Sequence, residues 1–218
     1  MQGLVVVLMD TTYFGRGFGV MLFKDAISGK NLYKIYVKYE TIKLYQEGIE
    51  LLKKMGYTIQ AIVCDGKTGL LQSFGLIPVQ MCQFHQVAIV IRYLTKKPKL
   101  EAAKELKNII HLLTKTDKES FVGAMDDWHE KWELFLNEKT KNENGKSQFT
   151  HRRLRSAYRS LKTNLPWLFT WYDHIEMNIP NTTNSIDGHF ADLKNKLRNH
   201  NGLSINRKKR FIDEFFKV

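Results

Sequence analysis

"LVVVLMD", Leu4 to Asp10, is an unbroken apolar and β-branched run that ends in an acid. Continuous apolar runs of this length read as strands buried on both faces, not as half-exposed strands with alternating polarity. Working outward, "TTYFGRG" forms a tight turn and "FGVMLFKD" a second strand, while "NLYKIYVKYE" alternates with period two and reads as a third. Short glycine-containing turns between the three predict an antiparallel meander. The pattern then becomes helical. "TIKLYQEGIELLKKMG" puts Ile42, Tyr45, Ile49 and Leu52 on one face, with Gly56 as a stop. "IQAIVCDG" is a second buried strand ending in an acid. "TGLLQSFG" fits a short helix, "IPVQMCQFH" a fifth strand, and "QVAIVIRYLTKK" a helix ending before Pro98. The order β-β-β-α-β-α-β-α predicts an α/β fold: a mixed five-stranded sheet with flanking helices.

From Pro98 to Asp173 strand signals vanish. Phe121, Met125, Trp128, Trp132 and Phe135 form one helical stripe, and Leu154, Tyr158, Leu161 and Leu165 another. "NEKTKNENGKSQ" is polar and aperiodic and reads as a loop. The expectation is an all-helical insertion over residues 96–177, between core segments 1–95 and 178–218.

Charge narrows the function classes. Lys and Arg number 34 against 22 Asp and Glu, a formal net charge of +12 over 218 residues. Such a surplus favours a polyanionic partner, nucleic acid first. The two cysteines, Cys64 and Cys82, are too few for a disulfide framework and suit a reducing compartment. No apolar run reaches the ~18 residues that cross a bilayer, and the N-terminus lacks the basic segment and cleavage site of a signal peptide. The expectation is a cytoplasmic protein with no membrane partner and no small-molecule cofactor.

The acids carry the chemistry. Asp10 closes the first predicted strand and Asp65 the fourth. Ligands gather at the carboxyl ends of parallel strands in open α/β sheets, so adjacent placement of these strands brings both carboxylates to one edge. Paired carboxylates repel unless a cation lies between them, and hard oxygen donors suit Mg²⁺ or Mn²⁺. The competing reading is that an Asp before Thr or Gly simply forms a turn. Asp187 lies in "NSID", where Asn184 reads as an N-cap and Asp187 as the third helical residue of a capping box. Farther along, Ile186, Phe190, Leu193 and Leu197 make a core stripe. Asp187, Ala191, Lys194 and Arg198 run beside it, a carboxylate at the start of a cationic rail.

"DTTYF" at Asp10, "CDG" at Asp65, "CQFH" from Cys82 to His85, and "NTTNSIDG…LKNKLRNHNGLS" together resemble the catalytic domain of Mutator-type bacterial insertion-sequence transposases. The resemblance spans essentially the whole chain. It implies an RNase H-like fold with a metal-binding acidic triad and a helical insertion before the last acid. It makes Asp10, Asp65 and Asp187 both the catalytic residues and the ligands of two Mg²⁺ or Mn²⁺ ions. Relatives usually place Glu where Asp187 stands. The implied activity is phosphodiester hydrolysis and strand transfer at element ends, on double-stranded DNA, by a bacterial protein that is nucleoid-associated when bound and dimeric on DNA. The DNA-binding domain usual upstream in such transposases is not expected within this chain. Two other functions fit the same residues: a catalytically silent DNA-binding remnant, and an RNase H-like nuclease or resolvase that does not join strands.

Other groups take supporting places in this reading. Cys82 and His85 lack the second ligand pair zinc needs; with Asn184 they are expected around the acids or against phosphate. "GRGFG" leads into a strand and not a helix, so it fails as a dinucleotide loop and becomes a hairpin with Arg16 at its tip. Arg152, Arg155, Arg159 and Lys162 share a helix face opposite its apolar stripe. With Arg16, Lys194, Arg198 and His200 they make up the expected DNA contacts, alongside the basic run "NRKKR" (206–210).

Overall fold

The computed structural model describes residues 3–141, 143, 145–200 and 202–217. Three strands form the expected meander: β1 (Leu4–Phe14), β2 (Phe18–Asp25) and β3 (Asn31–Val37). Helix α1 (Ile42–Lys54) leads to β4 (Thr58–Cys64), and a loop leads to β5 (Val79–Met81) and α2 (Gln83–Leu94). The sheet order is β3-β2-β1-β4-β5, with β1 antiparallel to β2 and parallel to β4. The molecule is therefore α/β with a five-stranded mixed sheet flanked by helices.

Three details differ from expectation. First, β1 does not end at Asp10 but runs four residues farther, because Thr11 to Phe14 keep pairing with β2 as far as Phe14 opposite Phe18. Second, "TGLLQSFG" is a chain of turns, not a helix. Its amides bond three residues back (Leu70 to Lys67, Ser73 to Leu70), and Gly69 and Gly75 adopt φ of +82° and +63°, which no α-helix holds. Third, β5 has only three residues, and Gln83 already starts α2, so His85 lies in the first turn of that helix and not beyond a strand.

Side-chain alternation sorts the core into two layers. Val5, Val7 and Met9 of β1, with Met21 and Phe23 of β2, face α1, α2 and the inserted block. Val6 and Leu8, with Val20, Leu22, Ala61 and Val63, face the two C-terminal helices. Burial of each such side chain contributes about 1.5–3 kcal/mol. Helix α1 presses on the sheet at Gly48, where a Cβ would collide with the Phe23 ring.

The inserted block contains α3 (Glu101–Leu112), α4 (Lys118–Asn137), α5 (Arg152–Leu168) and α6 (Thr170–Asp173). It is not all helical, because β6 (Lys139–Lys141) and β7 (Ser147–Phe149) pair as an antiparallel hairpin within the stretch expected to be a loop. Gly145, at φ +74°, lies in its turn. Nor is the block a separate body: Leu106, Phe121, Trp128 and Leu161 belong to the same apolar cluster as Met9 and Phe23.

A buried polar seam joins the block to the sheet. Gln80, Gln83 and Gln86 are all fully buried. Gln80 and Gln83 each donate to the Leu168 carbonyl at 2.9 Å, an acceptor left open at the end of α5. Gln80 also accepts from Trp171 N, and Thr170 Oγ1 donates to Val79 O. Gln86 bonds Ser160 and Asn164 of α5. After a short 3₁₀ turn (Ile175–Met177), α7 (Asn184–Arg198) and α8 (Ile205–Phe216) close the opposite face of the sheet. Among the described residues, no helix is long and apolar enough to cross a membrane.

Candidate acidic site

Asp10 and Asp65 stand at the edge where β1 and β4 part. Their last parallel pair is Leu8 with Val63, and each acid lies two residues beyond. Asp10 has the parity of Val6 and Leu8, so it faces the α7 side of the sheet. Asp65 directly follows β4, and its Oδ1 accepts from Lys67 N at 3.2 Å, a turn of the expected type.

Asp187 comes from α7, which packs across this face. The cap differs from the capping box expected there. Thr183 and not Asn184 is the N-cap, and Asp187 is the fourth helical residue. Asn184 is exposed and makes no side-chain hydrogen bond among the described residues. The inner position belongs to Thr183, which is fully buried. Thr183 Oγ1 lies 3.2 Å from both Asp187 Oδ2 and Cys82 Sγ, and Thr183 N donates to the same sulfur at 3.4 Å. Asn181 and Gln83 lace the two segments together further.

The three acids share one electrostatic environment. Burial pushes the Asp10 carboxyl up to about 7; the Thr11 N–H at 2.7 Å and His85 oppose this, and Asp187 and Asp65 add to it. His85 is the cationic member of the group. Attraction to the Cys82 sulfur, with help from Asp10 and Asp65, outweighs burial and raises it to about 9. Burial drives the Cys82 thiol up, but His85 and Thr183 together bring it below its ordinary value. His85 Nδ1 is buried with no partner of hydrogen-bonding geometry among the described residues.

A polar chain surrounds Asp10 on the other side. Thr11 Oγ1 and Tyr45 Oη are 2.9 Å apart, Tyr45 donates to Glu40 at 3.0 Å, and Lys67 stands 3.7 Å from Glu40. Burial raises Tyr45 far above the usual phenol range, so it serves as a neutral donor. Sequence reading missed Thr11, Tyr45, Glu40, Lys67 and Thr183. Thr11 and Lys67 carried a signal as near neighbours of Asp10 and Asp65, and Thr183 one as part of the Thr-Thr-Asn stretch before Asp187.

The cationic residues divide. Arg16 is exposed at its hairpin tip, and Lys194 and Arg198 are exposed along α7 beyond Asp187, as expected. Arg159 is exposed and makes no ion pair or hydrogen bond among the described residues. Arg155 is different: it donates to Leu136 O and Asn137 Oδ1 and lies 3.6 Å over the Phe149 ring, bracing the β6-β7 hairpin. It is a structural residue and not an available DNA contact. Arg152 bonds Gln148 at 3.2 Å, and His200 packs on Phe211.

The donor set suits Mg²⁺ or Mn²⁺ in kind: three half-buried carboxylates, of which Asp10 accepts a single backbone N–H. Among the described residues, no three His, Cys, Asp or Glu side chains are gathered as a ready cage. Mg²⁺ seldom uses such a cage, binding through one or two carboxylates with water and substrate phosphate completing its shell. Compared with known protein families and with curated proteins, the chain matches none.

Proposed function

We propose that this chain is an RNase H-like catalytic core that cuts and joins DNA, a transposase of the acidic-triad type. The observation that carries the reading is the placement of Asp10 and Asp65, each two residues past the last β1–β4 pair, with α7 carrying Asp187 across the same face of the sheet. A carboxyl held in that environment gains most from a cation. The order of the sheet, β3-β2-β1-β4-β5, supports the same fold.

Asp10, Asp65 and Asp187 would hold two Mg²⁺ or Mn²⁺ ions. Bound there, the ions would activate a water or a DNA 3′-hydroxyl and neutralise charge at the leaving oxygen. The chain's own residues do the rest. Asp10, whose carboxyl is raised to about 7, would be held ionised by such a cation. Asp187 is steadied by Thr183, and His85 brings a cationic ring near the acids, where a phosphate would enter. Lys194, Arg198 and Arg159 supply exposed cations for the backbone without reading sequence. Two copies would handle two element ends.

Incubation of supercoiled plasmid with the full chain and Mn²⁺ tests the reading. Nicking well above an Asp65→Ala control is expected, and nicking equal to that control overturns the enzymatic reading. Joining of a labelled 3′-hydroxyl end to the plasmid separates a transposase from a nuclease.

A further inference from the structure

Beside Asp65 opens a cleft of about 370 Å³, walled by the Gly66–Gly69 turn on one side and by α5 on the other. Its volume is near the low end of the range that encloses small ligands. A nucleotide fits such a space, and a duplex does not. The lining is polar and cationic at the rim: Lys67 from the turn, Arg159 and Thr163 from α5, Gln72 from the loop and Tyr93 from α2. Arg159, Thr163, Gln72 and Tyr93 make no side-chain hydrogen bond or ion pair among the described residues. These groups are available: a cation for phosphate, an amide and a hydroxyl for a base edge, and a ring, 37% exposed, for stacking. Gly66 and Lys67 follow Asp65 immediately. At ~3.8 Å per residue, the mouth of the cleft lies within about one nucleotide of that carboxylate.

We propose that this cleft receives one unpaired nucleotide of the DNA strand running past the scissile phosphate, its base beside Tyr93 and Gln72 and its phosphate on Arg159 and Lys67. The proposal rests on the DNA reading above and adds a subsite for single-stranded DNA. It makes a frayed or already nicked end a better ligand than a blunt one.

Fluorescence anisotropy with two labelled DNAs tests it: a blunt duplex, and the same duplex with a short single-stranded 3′ end. The wild-type chain is expected to bind the second about tenfold more tightly, the scale of one stacked base. Thr163→Phe, which fills the cleft from an exposed position, and Tyr93→Ala, which removes the ring, each abolish the preference and leave blunt-duplex affinity unchanged. Equal wild-type affinity for the two DNAs overturns the proposal and leaves the DNA reading standing. A preference that survives both substitutions overturns it as well. Binding to neither DNA overturns the DNA reading, and the cleft assignment falls with it.

Discussion

Thr183 Oγ1 stands 3.2 Å from Asp187 Oδ2, one helical turn away, while the same oxygen meets Cys82 Sγ at 3.2 Å. A buried threonine thus ties the third acid to the end of β5. Residues that orient a metal-binding carboxylate typically matter about 10–100-fold for metal affinity. Thr183→Val is expected to weaken Mn²⁺ binding by about tenfold in calorimetry, and Thr183→Ser to restore most of it. Unchanged Mn²⁺ affinity in the valine variant would show that Asp187 needs no such support.

Asp10 gives the fold a pH dependence. Its carboxyl titrates near 7 in the folded chain and near 3.8 when free. Between those values the folded state holds the extra proton, so Asp10's own contribution to stability is full below about pH 4, declines to about pH 7 and is flat above. Asp10→Asn removes that decline. The variant should be more stable than wild type at pH 8, on the order of 2–4 kcal/mol, with the gap closing by pH 4. Mn²⁺ should raise the wild-type melting temperature at pH 8 and leave that of the variant little changed. Parallel melting curves across this range would show that Asp10 ionises freely.

Gly48 reverses the usual helix rule. Alanine is favoured over glycine inside a helix by up to about 1 kcal/mol. Here the added methyl meets the buried Phe23 ring, and overpacking costs about 1–3 kcal/mol. Gly48→Ala should therefore lower the denaturation midpoint. A rise would mean that α1 shifts freely on the sheet.

Arg155 and Arg159 lie one turn apart and should fail differently. Arg155→Ala loses two hydrogen bonds and the Phe149 stack, and is expected to destabilise by about 1–2 kcal/mol. Arg159→Ala should leave melting unchanged and reduce the slope of log affinity for DNA against log salt by about one. If Arg155→Ala alters the slope and Arg159→Ala does not, the two assignments are exchanged.

Much of this architecture is legible in the chain. "LVVVLMD" and "IQAIVCDG" mark the central strands because both are buried on two faces and lack polar alternation. The stripe from Ile186 to Leu197 marks α7 for the opposite reason. What escaped reading depends on partners distant in sequence. The extension of β1 beyond Asp10 is stabilised by β2, and the β6-β7 hairpin is braced by Arg155 from a later helix. Thr183 in place of Asn184 at the cap depends on Cys82, 101 residues earlier. Local preference favours Asn at such a cap, and burial against sulfur favours Thr. The placement of Asp10 and Asp65 at one edge could be expected from strand order, but the burial that raises the Asp10 carboxyl is a property of the assembled layers.

The glutamine seam has a bearing on how the molecule opens. Swinging the inserted helices away from the sheet would break the hydrogen bonds of three buried glutamines, a net loss of about 0.5–1.5 kcal/mol each, and would uncover the apolar cluster that both sides share. Both effects oppose a hinge at this seam. The inserted helices share one apolar cluster with the central strands, so the amides of both are expected to exchange with solvent together and late. If the proposed DNA reading holds, adjustment to the substrate is expected at the rim, in the turns after Asp65 and the hairpin carrying Arg16, while the packed frame behind the acids stays in place.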